Sequence, residues 1–249
     1  MKDKADWSAL YAGGRILTRL LRRTFRYGPL GTWERQLFLK LCELLPEGGS
    51  MLSVGCGRAL IDYWLVRVLG VDAHLLDLSA PVLRKVHRSF GRTPHHTYHH
   101  DARTLPFRDG QFDVVWNAGV WEHFPEDEII SGVAEMGRVS RGFVLVLVPY
   151  SECKPYMLAK KWLEDHGLWS YGDEYPKKTL RPYFEAAGMT VVDESLLGGE
   201  AICRGYVGSI SDPEARSAVA SQLQPEDFAV WPYLVTTATG LHPEARRTA

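Results

Sequence analysis

A glycine turn and an acidic residue further along the chain have the spacing of a nucleoside-binding site. The turn is Gly55-Cys56-Gly57, which follows an apolar run and precedes a helical pattern. Its glycines let a ligand approach the backbone, and a helix that begins behind them presents unpaired N–H groups. Asp77 stands 20 residues after Gly57, where a carboxylate can accept hydrogen bonds from both hydroxyls of a ribose. The pair predicts a ligand that contains a ribose.

The next two apolar runs end in residues that suit an adenine ring. Asp101 ends one run, and its carboxylate can accept a hydrogen bond from the exocyclic amine while the N–H of Ala102 faces a ring nitrogen. The other run ends at Asn117-Ala118-Gly119, where small residues permit a close backbone approach. Together, these run ends are a more specific sign of a nucleoside-binding site than a glycine turn alone.

Strands that alternate with helices must carry these residues. The apolar periodicity predicts strands at 50–54, 73–76, 97–100, 112–116, 143–148, 190–192 and 233–239. It predicts helices at 33–45, 61–69, 81–90, 127–139, 154–166, 177–187 and 213–223. This order favours an α/β fold, in which a mostly parallel sheet has helices on both faces. Ligands bind such sheets beyond the carboxyl ends of the strands.

Composition and charge are those of an ordinary globular chain. The 249 residues are 45% hydrophobic and 24% charged, with a net charge of −1. These values exclude disordered, collagen-like and coiled-coil classes and make a general nucleic-acid binder a minority interpretation. Four cysteines without a CxxC pair predict reduced thiols. No apolar run has the length of a membrane span and no signal-peptide pattern is present, so we expect a cytoplasmic protein.

The N-terminal segment is basic and has apolar residues at helical spacing. The apolar stripe consists of Ile16, Leu17, Leu20, Leu21 and Phe25. We interpret residues 1–32 as a basic helical lid, and its simplest form is a surface helix with a solvated arginine face. A lid over an anionic ligand, a contact with a membrane surface and a contact with RNA are alternatives.

The run ends together resemble a known enzyme family. The motifs are MLSVGCG at 51–57, HLLDLS at 74–79, DA at 101–102 before LPF at 105–107, and FDVVW at 112–116 before WEH at 121–123. They are similar to motifs of class I S-adenosylmethionine-dependent methyltransferases with a methyltransferase-11-like core. The resemblance covers residues 34–150 and the last strands. It implies a Rossmann-like sheet of seven strands, S-adenosyl-L-methionine as cofactor, and methyl transfer to an O, N or C atom of a small-molecule acceptor.

The resemblance also assigns the cofactor-binding residues. The set is Gly55, Cys56, Gly57, Asp77, Leu78, Asp101, Ala102, Asn117 and Ala118. By the resemblance, the glycine turn lies against the methionine part of the cofactor and Asp77 binds the ribose. Leu78 flanks the adenine face, Asp101 and Ala102 read its edge, and Asn117 presents its carbonyl to the ligand amine.

Two positions depart from the family pattern. Ser53 stands where the family usually has an acidic residue, and Ala59 stands where it has a third glycine. The acid often organises the ligand ammonium, so Ser53 leaves weaker binding or a non-catalytic relative as alternatives. Ala59 is expected to be a mild change, because the glycine there mainly tightens helix packing. Nicotinamide binding is disfavoured, since Leu60 stands where the GxGxxG pattern needs a glycine.

Methyl transfer from a sulfonium needs an acceptor held in line and, for O or N acceptors, a way to remove a proton. His123 is the leading candidate base, with Glu122 beside it. Tyr150, at the end of the fifth strand, is a second candidate for the acceptor site. The alternative for the Trp-Glu-His run is a structural feature that packs beneath the cofactor.

The acceptor pocket is expected to come from the variable parts of a single methyltransferase domain, 1–249. Segments 151–188 and 197–231 are the predicted caps. Their aromatic residues include Tyr156, Trp162, Trp169, Tyr171, Tyr175, Tyr183 and Trp231. These suit a flat or apolar acceptor, or serve simply to pack a cap onto the sheet.

Four histidines near the third strand invite comparison with a metal site. On a strand, His96 and His100 face one side, and His95 and His99 face the other. No carboxylate or cysteine in the sequence pattern completes either pair, so we predict no metal.

Three other functions fit the same motifs. One is an RNA or protein methyltransferase that docks through the basic N-terminal helix. Another is a non-catalytic methyltransferase-like partner subunit, which the change at Ser53 favours and the intact Asp77 and Asp101 oppose. In the third, the positive charge of the cofactor serves a different reaction such as a cyclisation.

Overall fold

The computed structural model describes residues 30–241. The predicted basic helix lies before this range, so it stays a prediction. Among the described helices, none combines the length and apolar character that crossing a membrane requires.

One sheet of seven strands forms the centre of the fold. Its strands are β1 (Ser50–Val54), β2 (Asp72–Asp77), β3 (His96–His99), β4 (Phe112–Ala118), β5 (Ser140–Pro149), β6 (Val191–Leu197) and β7 (Tyr233–Thr239). Their order across the sheet is β3-β2-β1-β4-β5-β7-β6. The first five strands pair in parallel, and β7 runs antiparallel to both β5 and β6. The predicted Rossmann-like α/β fold is confirmed.

Eight helices of the described range surround the sheet. They are α1 (Thr32–Leu44), α2 (Leu60–Leu69), α3 (Ala80–Phe90), α4 (Glu126–Val139), α5 (Lys154–Asp165), α6 (Arg181–Ala186), α7 (Glu200–Gly208) and α8 (Pro213–Ala220). Short 3-10 turns occupy Trp121–His123 and Pro225–Ala229.

Successive side chains of β1 enter two separate cores. Met51 packs with Leu37 of α1 and Leu65 of α2, whereas Leu52 packs with Ile129 of α4. Adjacent residues on a strand point to opposite faces, so a strand covered on both sides must be apolar throughout. This explains why β1 appears in the sequence as a continuous apolar run and why helices lie on both faces.

Two features of the second half differ from the sequence prediction. The helix predicted at 177–187 begins only at Arg181, because Lys177 instead pairs with the end of β5. Its N–H donates to Pro149 O at 3.0 Å, and its carbonyl accepts from Ser151 N–H at 3.1 Å. The stretch 194–231 also contains the unpredicted helix α7 and the end of β6.

A charged residue hides the true length of β6. Glu194 lies inside the strand, where its carboxylate accepts hydrogen bonds from the hydroxyls of Thr179 and Thr236, both at 2.6 Å, and from the N–H of Leu180 at 3.0 Å. Neighbouring segments therefore compensate its burial. Hydropathy along the sequence cannot register partners that folding brings together.

The caps predicted at 151–188 and 197–231 contain helices that pack on one another. Ala159 of α5 shares a small buried core with Val207 of α7 and Val219 of α8. Tyr156 of α5 and Cys203 of α7 belong to a second small core beside it. This layer lies next to the carboxyl end of β5, because α5 begins a few residues after that strand.

Candidate functional site

The glycine turn and Asp77 are joined directly. Gly57 N–H donates to one oxygen of Asp77 at 3.0 Å, and Ser79 N–H donates to the other at 2.8 Å. Burial raises the pKa of Asp77, and these two backbone bonds counteract the rise. The carboxylate is thus fixed at the carboxyl edge of β2, with its remaining lone pairs available to hydroxyl donors.

The turn itself needs glycine at Gly55. Its φ of +67° lies in the left-handed region, and a side chain there would overlap Val120, which follows β4. The backbone therefore passes close to the next strand end. No side chain can therefore stand between the glycine turn and Val120.

Ala59 introduces more backbone strain than the sequence suggested. It adopts a φ of +50°, and it is the one non-glycine residue of the range 30–241 in the left-handed region. Its N–H donates to Cys56 O at 2.8 Å, which closes the turn before α2 begins. A left-handed alanine is strained by roughly 1–2 kcal/mol. The glycine of the family pattern therefore relieves strain as well as tightening helix packing.

An acidic residue that the motif comparison missed lies beside Ser53. Asp62 of α2 is fully buried, and its carboxylate accepts hydrogen bonds from the Ser53 hydroxyl and from Trp116 Nε1, the latter at 3.2 Å. Desolvation raises the pKa of Asp62 to about 7. Its negative charge also contributes to the raised pKa of Cys56 in the glycine turn, after burial and Asp77. An acid thus sits beneath the turn, supplied by the helix and not by the strand.

Asp101 is held by an arginine. Arg103 makes two hydrogen bonds to its carboxylate, at 3.0 Å from Nε and 2.7 Å from Nη2, and donates its backbone N–H at 3.0 Å. The same guanidinium reaches Glu128 at 2.9 Å. The sequence suggested a bare carboxylate for the adenine amine, whereas the structure presents an ion pair at that position. Leu78, by contrast, is half exposed and open to a ring face.

Asn117 lies within β4, whereas the sequence predicted that this strand ends at residue 116. Its Nδ2 donates to Val54 O at 2.7 Å, which ties the end of β4 to the end of β1. Its Oδ1 is buried and has no hydrogen-bond partner among the described residues. Ala118 follows at the strand end and is half buried. An orphaned buried acceptor at a strand end is a group that a ligand can satisfy.

Glu122 and His123 lie in the 3-10 turn after β4. Trp121 anchors the turn, because it is fully buried against Gly132, where any side chain would overlap the indole. Glu122 is 2% exposed, and its Oε2 has no hydrogen-bond partner within residues 30–241. Burial raises the pKa of Glu122 well above its ordinary value, and the nearby Glu174 adds to the rise.

The loop between α5 and α6 completes this turn. Tyr175 N–H donates to Glu122 O at 2.8 Å, and His123 Nδ1 lies 2.7 Å from Asp173 O. Since a carbonyl can only accept, Nδ1 carries the proton and Nε2 is the basic nitrogen. Burial lowers the pKa of His123, which keeps the imidazole neutral near pH 7.

Tyr150 does not join this pair. Its hydroxyl donates to Glu152 at 2.8 Å, and Glu152 is in turn paired with Lys178 at 2.5 Å. Tyr156 of the cap lies near Glu122, whose charge contributes to the raised pKa of that tyrosine. The Tyr156 hydroxyl donates a hydrogen bond to Glu174. The Tyr156 ring packs edge-on against Tyr206, with 4.8 Å between the ring centroids. The Tyr206 hydroxyl is in turn hydrogen-bonded to the Tyr233 hydroxyl.

Two residues of this region had no signal in the sequence. Glu174 is 8% exposed and Lys160 is 6% exposed. Both lie near His123: Glu174 offers a carboxylate oxygen within 4.8 Å of the imidazole nitrogen, and Lys160 contributes to the lowered pKa of the imidazole. The Lys160 ammonium pairs with Glu164 and lies 5.1 Å above the Trp169 ring. Hydropathy assigns such charged residues to the surface, and only their unusual burial reveals them.

A carboxylate does lie beside two histidines at the edge of the sheet. Asp72, at the start of β2, has one oxygen 3.2 Å from His74 Nε2 and the other 3.2 Å from His96 Nε2. The sequence pattern places no carboxylate near His96, because Asp72 comes from the neighbouring strand. Asp72 and His96 are exposed and His74 is buried, and the cluster lies toward the opposite end of β2 from Asp77.

Comparison with known proteins identifies the central part of the chain. Residues 51–142 match the model of a family described as the methyltransferase domain. The chain is also 30% identical, over 115 residues, to 2-methyl-6-phytyl-1,4-hydroquinone methyltransferase of Synechocystis sp. strain PCC 6803. That match covers 44% of this chain and 35% of the relative, so the chain spans about a third of the relative's length.

Solved structures share the fold over nearly the whole chain. One is a protein assigned as a methyltransferase in complex with the Trm112 methyltransferase activator of Haloferax volcanii, with a TM-score of 0.66 and 18% identity over 98% of this chain and 100% of that one. Another is magnesium protoporphyrin IX methyltransferase from Synechocystis PCC 6803 with bound SAH, with a TM-score of 0.58 and 13% identity over 94% and 92%. The predicted class I methyltransferase fold is thereby confirmed.

The methyltransferase domain as matched contains most of the predicted site. It runs from β1 into the start of β5 and includes the glycine turn, Asp77, Asp101, Glu122 and His123. Tyr150, Glu174 and the cap helices lie beyond residue 142. The residues that surround Glu122 from the cap therefore lie outside the matched range.

Proposed function

We propose that this chain transfers a methyl group from S-adenosylmethionine to a small-molecule acceptor. The observation that carries the proposal is the bond from Gly57 N–H to Asp77 within a segment that matches a methyltransferase domain. This bond brings the glycine turn and a carboxylate that suits a ribose together at one edge of the sheet.

The residues present fit the cofactor. In the proposal, Asp77 binds the ribose hydroxyls, Leu78 covers the adenine face, and Asp101 with Ala102 meets the adenine edge. The glycine turn holds the methionine part, which Asn117 contacts from the end of β4. Two observations support this fit: the left-handed backbone of Gly55, which packs directly against Val120, and the orphaned Oδ1 of Asn117.

Asp62 supplies the acid that the family motif has at the position of Ser53. It lies beneath the glycine turn, bonded to the Ser53 hydroxyl, and its charge reaches Cys56. A negative charge in this position can offset the ammonium of the methionine part. On this account Ser53 does not indicate a non-catalytic relative, because the charge has moved from the strand to the helix.

The reaction requires positioning and proton removal. S-adenosylmethionine, when bound, supplies an electrophilic methyl group. Glu122 and His123 lie at the end of β4, the strand whose end contacts the methionine part in this proposal. His123 Nε2 is the basic nitrogen of a neutral imidazole, so it can accept the proton of an O–H or N–H acceptor. Tyr156 and Tyr206 supply aromatic surface beside it.

Small-molecule acceptors agree with several similar proteins. The hydroquinone and magnesium protoporphyrin IX methyltransferases act on such molecules by name. The buried carboxylates and tyrosine hydroxyls near His123 suit a compact acceptor that carries a polar group. The atom methylated is an O or N in the account that uses His123 as base.

A second candidate follows from the likeness to the Haloferax protein, which covers both chains almost completely. In this candidate the chain works together with a small activator protein and is silent alone. Equilibrium binding distinguishes the two: a chain that acts alone binds S-adenosylmethionine without any partner. A chain that needs an activator gains affinity when co-expressed partners are retained during purification.

The acceptor class can be tested with methyl-labelled S-adenosylmethionine. Purified protein is incubated with an extract separated into low-mass organic compounds, RNA and protein. We expect label to enter the low-mass fraction in the wild type and to be lost in His123→Ala, with His166→Ala, an exposed cap histidine, as the control. Label confined to RNA or protein would contradict the small-molecule proposal.

A further inference from the structure

We propose that Glu122, His123 and Glu174 form a binding site for a divalent metal ion at the carboxyl end of β4. Each residue contributes one ligand atom, and the three atoms lie within 4.8 Å of one another. Two carboxylate oxygens and one imidazole nitrogen suit Mn²⁺, Fe²⁺ or Zn²⁺ better than Ca²⁺, which prefers oxygen ligands alone.

Two loops hold the three residues together. Glu122 and His123 belong to the turn after β4, and Glu174 belongs to the loop between α5 and α6. Tyr175 N–H bonds to Glu122 O at 2.8 Å, and His123 Nδ1–H bonds to Asp173 O at 2.7 Å. The loop that carries Glu174 is thus fixed to the turn by a bond on either side of it, and the ligand atoms meet because the backbones are tied.

Glu122 provides an independent sign that something positive belongs here. The residue is 2% exposed, and its Oε2 has no partner among the described residues, although Glu174 lies beside it. A buried carboxylate without a partner, next to a second carboxylate, is costly unless a cation neutralises it or a proton binds. A metal ion would satisfy both carboxylates at once.

The surrounding groups orient the ligand atoms as they do in metal sites. The bond from His123 Nδ1–H to a carbonyl fixes the tautomer whose Nε2 can bind a metal. Tyr156 donates its hydroxyl to Oε1 of Glu174, which fixes that carboxylate in the same manner. With a metal bound, His123 Nε2 would serve as a ligand and no longer as the base. Three protein ligands would leave coordination positions open, where an acceptor oxygen could bind and lose its proton to solvent more readily.

Two lysines lie near these ligands among the described residues, and neither replaces a metal. The charge of Lys177 acts on Glu122, but its ammonium faces the Tyr183 ring at 5.4 Å. Lys160 lies near His123 and Glu174, but its ammonium pairs with Glu164 and faces the Trp169 ring at 5.1 Å. An organic ammonium is the alternative occupant, because carboxylates and aromatic rings also bind such groups. The imidazole nitrogen favours a metal, since a neutral imidazole adds a strong metal ligand and only a weak contact for an ammonium.

The histidine cluster at the sheet edge supplies a matched control. Asp72, His74 and His96 also offer three ligand atoms within 4.8 Å. Yet Asp72 and His96 have side chains that are 55% exposed, and both oxygens of Asp72 already bond to imidazoles. That cluster satisfies itself and has no orphaned group, so we expect weak binding at most.

The test is a titration of the purified chain with Mn²⁺, in which free ion is measured by electron paramagnetic resonance without any cofactor. Because it measures binding alone, its outcome is independent of the proposed methyl transfer. We expect one saturable site in the wild type, weakened at least tenfold in Glu174→Gln and unchanged in His96→Ala. Thermal melting of each variant checks that it folds, and His123→Ala serves if Glu174→Gln does not.

Three outcomes would overturn the metal site. One is the absence of saturable binding of both Mn²⁺ and Zn²⁺. Another is binding that persists in Glu174→Gln and in His123→Ala but is lost in His96→Ala, which would place the ion at the sheet edge. The third is stabilisation of the wild type by tetramethylammonium, lost in Glu174→Gln, without stabilisation by either metal. That result would assign the site to an organic cation.

Discussion

The Ser53 hydroxyl donates a hydrogen bond to the carboxylate of Asp62, and this bond links β1 to the buried face of α2. Ser53 pairs with Trp116 across β1 and β4, so both side chains reach the same carboxylate. An acid missing from the strand is thus present a few ångströms away on the helix. In the proposed function, this acid on the helix serves in place of the acid that the family motif has at the position of Ser53.

Asp62 should make stability depend on pH. Its pKa is raised to about 7 in the folded protein from an ordinary value near 4, so the folded state loses stability as pH rises between these values. Asp62→Asn removes this cost and keeps both hydrogen-bond partners. We expect the free energy of unfolding of Asp62→Asn, relative to that of the wild type, to increase by about 1–3 kcal/mol between pH 5 and pH 8. Urea unfolding of both proteins at these pH values measures it, and a constant difference would contradict the assignment.

The same variant should bind the cofactor less well. If Asp62 offsets the ligand ammonium, then Asp62→Asn lowers affinity for S-adenosylmethionine by about three- to tenfold while stability at pH 8 rises. The opposite signs separate a ligand effect from a folding effect. Unchanged affinity in a stabilised variant would mean that Asp62 is structural only.

Asp77 is expected to matter more than Asp101. Asp77→Ala should weaken S-adenosylmethionine binding by roughly 1–3 kcal/mol, because charge-assisted bonds to the ribose are lost together with the bond from Gly57 N–H. Asp72→Asn, at the exposed start of the same strand, is the matched control and should leave affinity unchanged. Equal loss in both variants would contradict the ribose assignment.

Arg103 already neutralises Asp101, so Asp101→Asn should cost less than about 1 kcal/mol of cofactor affinity. Isothermal titration of this variant beside Asp77→Ala ranks the two carboxylates. A larger loss at Asp101 would show that the ion pair opens when the cofactor binds.

His123→Ala tests the base. General-base catalysis contributes about 10²- to 10⁴-fold, so we expect turnover of the identified acceptor to fall by at least tenfold while cofactor affinity changes less than twofold. His166→Ala should leave both unchanged. A variant that fails to fold would instead support a structural role for the Trp-Glu-His turn, and circular dichroism distinguishes that case.

The sequence predicted the sheet well because its central strands are buried. β1 and β7 match the predicted bounds fully, since every residue between Met51 and Val54 is buried and apolar or small. The helix bounds before residue 166 agree within one residue at each end, because caps such as Ser79 and the helical apolar stripes are local signals. Local sequence signals were therefore sufficient to predict a helix or strand wherever that element buries a regular apolar face.

The remaining features depend on contacts that no local pattern encodes. Glu174 stands in an aperiodic loop and meets Glu122 only because that loop folds back onto the turn after β4. Glu194 hides β6 for the same reason, since its hydroxyl partners come from distant segments. Asp62 could have been noticed as an acid on the apolar face of α2, between Ile61 and Leu65.

The most direct measurement is a calorimetric titration of the wild-type chain with S-adenosylmethionine and S-adenosylhomocysteine, beside NAD as an unrelated nucleotide. The account predicts saturable binding of the first two at one site per chain and no binding of NAD. Binding of NAD in preference to S-adenosylmethionine, or binding of neither by a folded and purified chain, would contradict it.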